Sequence, residues 1–183
     1  MLLCNLRTLM AERRLTALKI STDTHISRVT LGAMINNQAK GIQYETMNTL
    51  CTYLGIAPGE LFTFAPVDVR VVGASIHGDE IRITVMERGK ETPCTMPARI
   101  VVMNEPIPVD DDGNEAHVPN AIFANIDASA SEVFARCYRS LPVPLKQHVE
   151  DIIAEALAES AMESCPLDPA CMSELHVELD IVV

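Results

Sequence analysis

The chain has 183 residues, 48% of them hydrophobic and 21% charged, and carries a formal net charge of −11. This is the composition of a folded protein, long enough for one ordinary domain or two small ones. No apolar run approaches the roughly 20 residues that cross a bilayer, and Met1–Asn5 lacks the basic flank and long apolar stretch of a secretory signal, so a cytoplasmic protein with no membrane partner is expected.

Taken whole, the negative charge also weighs against nucleic acid, because phosphate binding draws on clustered Lys and Arg. Divided by region it does not. A composition shift near Phe64–Pro66 separates residues 1–65, with helical apolar spacing, from residues 66–183, with alternating patterns. Residues 1–64 hold six basic side chains (Arg7, Arg13, Arg14, Lys19, Arg28, Lys40) against four acids (Glu12, Asp23, Glu45, Glu60), a net of +2; the remainder carries −13.

The first segment predicts five short helices. Leu3, Leu6, Leu9 and Met10 form one apolar stripe ending near Arg13 and Arg14. Thr16 can cap a second helix running past Ile20, and Ser27 a third over Arg28–Ile35 with Leu31 and Met34 facing inward. A fourth runs over about Tyr44–Leu54 and stops at Gly55, which suits a left-handed terminus. Pro58 opens the fifth.

The run Leu15-Thr16, Ile20-Ser21, His25-Ile26-Ser27-Arg28-Val29-Thr30-Leu31 and Met34-Ile35-Asn36-Asn37 resembles the helix-turn-helix of the lambda repressor/Cro (Xre) family of transcription regulators. Gly41–Thr46 and Leu54–Phe62 resemble that family's fourth and fifth helices. The resemblance covers the first third of the chain and implies an all-α five-helix DNA-binding domain over residues 1–65. A helix entering the major groove needs small or polar residues on its exposed N-terminal face. Arg28, Val29, Thr30 and Ala33 supply such a face for base contacts: a guanine edge for Arg28, one hydrogen bond for Thr30, thymine methyls for Val29 or Ala33. By the same resemblance Asn36, Asn37 and Gln43 bind phosphates, and Lys40 adds charge. The partner implied is double-stranded DNA, a two-fold operator bound by a homodimer. Two departures from the family are Ala17, where a polar residue is usual, and His25, where the turn usually has Gly and φ > 0 is expected.

In residues 66–183 the alternation of Val67, Val69, Val71 and of Ile81, Ile83, Val85 predicts two strands joined through His77-Gly78-Asp79. Ile100–Met103 and Ile122–Ile126 are shorter strands, and Leu175 to Ile181 alternates again. Val149, Ile152, Ile153, Ala156 and Leu157 repeat on one helix face, with Pro142 and Pro144 at the entrance. An α+β domain with a mainly antiparallel sheet is expected, serving dimerisation or a partner.

On that helix Glu155, Glu159 and Glu163 stand four apart, a like-charge row that suits solvent or a basic protein partner. The +2/−13 split therefore supports a second reading: a phage or mobile-element inhibitor, anti-CRISPR-like, whose acidic domain binds a basic nucleic-acid-handling protein while the first domain autoregulates.

Enzyme readings fare poorly. The second region has only Lys90 and Lys146 and no Ser-Met pair, against self-cleavage of the kind repressors sharing this domain perform. The six Cys (4, 51, 94, 137, 165, 171) are scattered as free thiols. Cys165, Cys171 and His176 lack the tight pairs of a closed zinc site, and Asp110–Glu115, four acids in six residues, has its Gly misplaced for an EF-hand. No cofactor, metal or catalytic residue is expected.

Overall fold

A computed structural model of the protein describes residues 1–108, 115–163 and 175–183, the backbone alone at 106–108 and 115–118. It divides into two compact units, Met1–Ala65 and Pro66–Val183.

In the first unit five helices pack around Leu6, Ile20, Leu31, Met34, Leu50, Cys51, Leu54 and Leu61. They are α1 (Leu6–Glu12), α2 (Ala17–Thr24), α3 (Arg28–Ile35), α4 (Tyr44–Leu54) and α5 (Pro58–Leu61). Local chemistry sets their ends. Thr16 and Ser27 accept from the third amides of α2 and α3, and Gly55 closes α4 at φ 62°, where a side chain would cost strain. The unit is not all-α, however. Strand β1 (Leu2–Cys4) pairs antiparallel with β2 (Phe62–Phe64), joining the two ends of the unit. Leu3, assigned above to a helical stripe, is a buried strand residue instead. Three residues are too few to display a period of two, so the pair left no pattern.

The second unit is a five-stranded sheet in the order β3-β4-β5-β6-β7 with two helices. The strands are β3 (Val67–Ser75), β4 (Glu80–Glu87), β5 (Lys90–Pro108), β6 (Glu115–Asp127) and β7 (His176–Val182); the helices are α6 (Glu132–Ser140) and α7 (Val143–Glu163). The first three pairings are antiparallel, but β6 and β7 run parallel, so the sheet is mixed. Alternation shows which face a residue takes, not which way its strand runs. The direction follows from the crossover through α6 and α7, the connection a parallel pair requires. Two further elements differ from expectation. β5 begins at Lys90, ten residues before the apolar run that signals it, because Arg88 (φ 53°) and Gly89 (φ 79°) make a two-residue turn straight from β4. And α6 was not anticipated; Ser131 caps it, and Phe134, Ala135, Cys137 and Tyr138 are its buried side.

The helices pack on one face of the sheet. Ile81, Ile83, Val85, Met96, Ile122 and Ile126 are buried toward Phe134, Leu145, Val149, Ile153 and Leu157. Among the described residues no helix is long and apolar enough to cross a membrane.

Candidate nucleic-acid interface

The turn between α2 and α3 fixes how α3 is presented. His25 adopts the left-handed conformation (φ 61°, ψ 11°) and its amide donates to the Ser21 carbonyl at 2.9 Å. The positive φ expected at this turn is therefore present, carried by His. Two residues on, Ser27 Oγ accepts from the Thr30 amide at 3.0 Å and lies 2.8 Å from Thr30 Oγ1. The Thr30 hydroxyl is thereby oriented at the start of α3, with capacity left for one outside partner.

Leu31 and Met34 anchor α3 in the core, and this turns Arg28, Val29 and Thr30 to solvent. Val29 is 83% exposed, so its methyl groups are free to meet an apolar group of a partner. Ala33 is half-buried on the same side. A methyl group added at Gly32 would meet nothing within 4 Å, so the glycine fills no packing need and keeps the helix surface low for close approach. Between α3 and the loop before α4 runs a groove of about 440 Å³ lined by Val29, Thr30, Ala33, Gln38, Lys40 and Gln43.

The opposite end of α3 is held by a residue that sequence patterns passed over. Arg7, on α1, donates from Nε to the Ile35 carbonyl at 3.3 Å and from its terminal nitrogen to Asn36 Oδ1 at 2.6 Å. A cation at a helix C-terminus also meets the negative end of the helix dipole. Asn37 takes φ 54°, and its Oδ1 accepts from the Cys4 amide of β1 at 2.6 Å. Both asparagines are exposed, yet their carbonyl oxygens face the protein. What they present outward is the amide Nδ2, a donor, which is what a phosphate oxygen needs.

Lys40 and Gln43 are exposed on the loop leading to α4. Gln43 occupies the N-cap position without a side-chain cap, so the first amides of α4 lack that partner and suit an anion. Tyr44, 86% exposed at the first position of α4, and Gln38 belong to this surface but carried no sequence signal, since each reads as an ordinary loop or helix-start residue. Glu45 in the same first turn works against an anion.

Lys19 and Arg13 serve the fold. Lys19 Nζ bonds Asp23 Oδ2 at 2.9 Å, and Tyr53 Oη donates to the same oxygen at 2.7 Å, tying α2 to α4. These two donors hold the Asp23 carboxyl below its usual range, while the neighbouring carboxylate raises Lys19 and Tyr53. Arg13 donates to the Leu54 carbonyl at the end of α4. Arg28 and Lys40 make no ion pair among the described residues, so they are the cations this face offers. Ala17 is half-buried at the start of α2 and offers no polar group there.

In the second unit Glu155, Glu159 and Glu163 are exposed on α7, continuing a line begun by Gln147 and Asp151. None of the three is in an ion pair among the described residues. Elsewhere on α6 and α7, Tyr138 donates to Glu150 while Lys146 sits 5.4 Å above its ring, and burial and the carboxylate push the phenol up, keeping it protonated. Cys165, Cys171 and Asp110–Asn114 lie outside the described residues, and His176 is exposed on β7. Among the described residues no three His, Cys, Asp or Glu side chains cluster as metal ligands.

The description of a Cro/C1-type helix-turn-helix DNA-binding domain matches residues 5–66. No curated protein and no solved structure matches the chain. The match takes in α1 to α5 and β2, and residues 5–66 of this chain are a Cro/C1-type helix-turn-helix DNA-binding domain.

Proposed function

We propose that the protein is a sequence-specific transcription regulator, a dimeric autorepressor that binds a two-fold operator through α3 and performs no chemistry. The observation that carries this reading is the start of α3: an unpaired Arg28, an 83% exposed Val29 and an oriented Thr30 on a helix whose other side is core. Arg28 reads a guanine edge, Val29 and Ala33 meet thymine methyls, and the donors of Asn36, Asn37, Lys40 and Gln43 fix the register on phosphates. One such face offers few cations, which is why a second copy on a second half-site is part of the reading. Protection and gel-shift assays on the DNA upstream of the protein's own gene test it. A protected two-fold site, weakened in Arg28→Ala with unchanged circular dichroism, is expected; equal binding by both proteins overturns the assignment of Arg28.

The exposed acidic row of α7 favours a second reading, in which the acidic unit binds a basic protein and the first unit autoregulates. Binding of the full chain to a basic partner, lost in a Glu155→Gln, Glu159→Gln, Glu163→Gln variant, distinguishes this reading from the first.

A further inference from the structure

The helices cover one face of the second unit's sheet, and the other face is not polar throughout. Strand register places nine side chains there in three rows across β5, β6 and β7: Arg99, Asn125, Asp180; Val101, Phe123, Glu178; Met103, Ala121, His176. Their neighbours Ile122, Ala124 and Ile126 point the other way, into the core. Val101 is 48% exposed, Met103 54% and Phe123 37%, an apolar patch at the middle of an open sheet. A groove of about 220 Å³ runs over it, from Arg99 on β5 to Asp180 on β7.

We infer that this face is the dimer interface, and that its occupant is a second copy of the same face. The charges decide the occupant, because the first row is self-complementary. A two-fold axis lying between two such sheets and running along β6 lays β5 of one copy over β7 of the other. Heights along the axis are preserved, so Arg99 comes opposite the partner's Asp180 and Asp180 opposite the partner's Arg99. Phe123, on the axis, meets the partner's Phe123, and Val101 meets the stem of the partner's Glu178, whose carboxylate reaches the rim. Stacked sheets lie about 10 Å apart, a gap that an Arg and an Asp side chain span together. The roughly 30° rotation of packed sheets displaces groups one strand from the axis by only a few ångströms, within the reach of Arg. Asp180 is already held in place: Asn125 Nδ2 donates to its Oδ2 at 2.8 Å. The arrangement also keeps apart the acidic rows of α7, which belong to the opposite face of each sheet. Pairing through the β3 edge, where α7 packs, would bring those rows together instead.

This inference rests on the dimer of the preceding section and names its surface. The test is sedimentation equilibrium on the full chain, for wild type, Arg99→Asp, Asp180→Arg and the double reversal, with circular dichroism as the check on folding. Each reversal occurs twice per dimer and puts like charges together, so each single variant is expected to weaken dimerisation at least about tenfold, and the double variant to recover to within about threefold of wild type. A wild-type dimer unaffected by either reversal, or weakened by both without recovery in the double variant, overturns this interface while leaving the dimer in place. A wild-type protein that stays monomeric at about 100 µM, where a dimer of micromolar dissociation constant is mostly assembled, overturns the dimer itself.

Discussion

Ser27 has two demands on it, and they can be separated. Its Oγ caps α3 and also steadies Thr30 on the face offered to DNA. Ser27→Ala is expected to lower stability by about 1 kcal/mol in urea unfolding. Ser27→Asp keeps a capping oxygen and should recover that stability, yet it sets a negative charge beside the phosphates and should bind the operator worse than alanine does. Arg28 and Lys40 differ in kind. For each half-site, Arg28→Ala is expected to cost about 1–3 kcal/mol of affinity and relax preference at one base pair, whereas Lys40→Ala should weaken all sequences alike and reduce the salt slope by about one. Binding titrations against a panel of operator variants separate the two. Asp23 adds a pH dependence to the stability of the first unit. Its folded-state carboxyl titrates below the ordinary value because Lys19 and Tyr53 donate to it, so its stabilising contribution is complete above about pH 4 and is lost as pH falls through the lowered value. Tyr53→Phe removes one of those donors and should shift acid unfolding to higher pH; an unchanged midpoint shows that Lys19 alone holds the carboxylate.

Elements differ in how much of themselves they write into sequence. The helices α2 to α5 were legible nearly to the residue, because each carries a cap or stop whose chemistry is local: Thr16, Ser27, Gly55, Pro58. So was the outward face of α3, since Leu31 and Met34 fix by elimination which side is free. What stayed hidden depends on partners distant in the chain. β1 is a strand only because β2, some sixty residues on, is its partner. Arg7 reads as one more basic residue until Ile35 and Asn36 are beside it. The parallel pairing of β7 is set by the path through α6 and α7, and α6 has just nine residues in which to display a period. The acidic row on α7 was legible by count, and its exposure gives a prediction at this scale. Like charges four apart repel, so Glu155→Gln and Glu159→Gln should each stabilise the protein by a few tenths of a kcal/mol in chemical unfolding. A loss of stability on either change would mean that the carboxylate has a favourable partner.

At the scale of the molecule the charge division governs how affinity responds to salt. In the proposed dimer the two copies of Lys40 neutralise about two phosphates, which sets the slope of log affinity against log salt near −1.8, or near −3.6 where Arg28 meets phosphate as well as a base. A slope near −8 would require cations beyond Arg28 and Lys40. The −13 carried by the other 119 residues enters as a background repulsion that salt relieves, and it should make the measured slope shallower still, not steeper.

The short strand β1 has a bearing on all of this that its three residues conceal. Its Cys4 amide holds Asn37 in a left-handed turn just past the reading helix, where an unrestrained asparagine would sample many states. Preorganisation of that loop thus rests on the first strand of the unit, through a hydrogen bond from the Cys4 amide to the Asn37 side chain. Asn37→Ala leaves the Cys4 amide without its acceptor, and the loss should surface as faster operator dissociation together with a less favourable binding entropy, the mark of a loop that must now be ordered by the DNA itself.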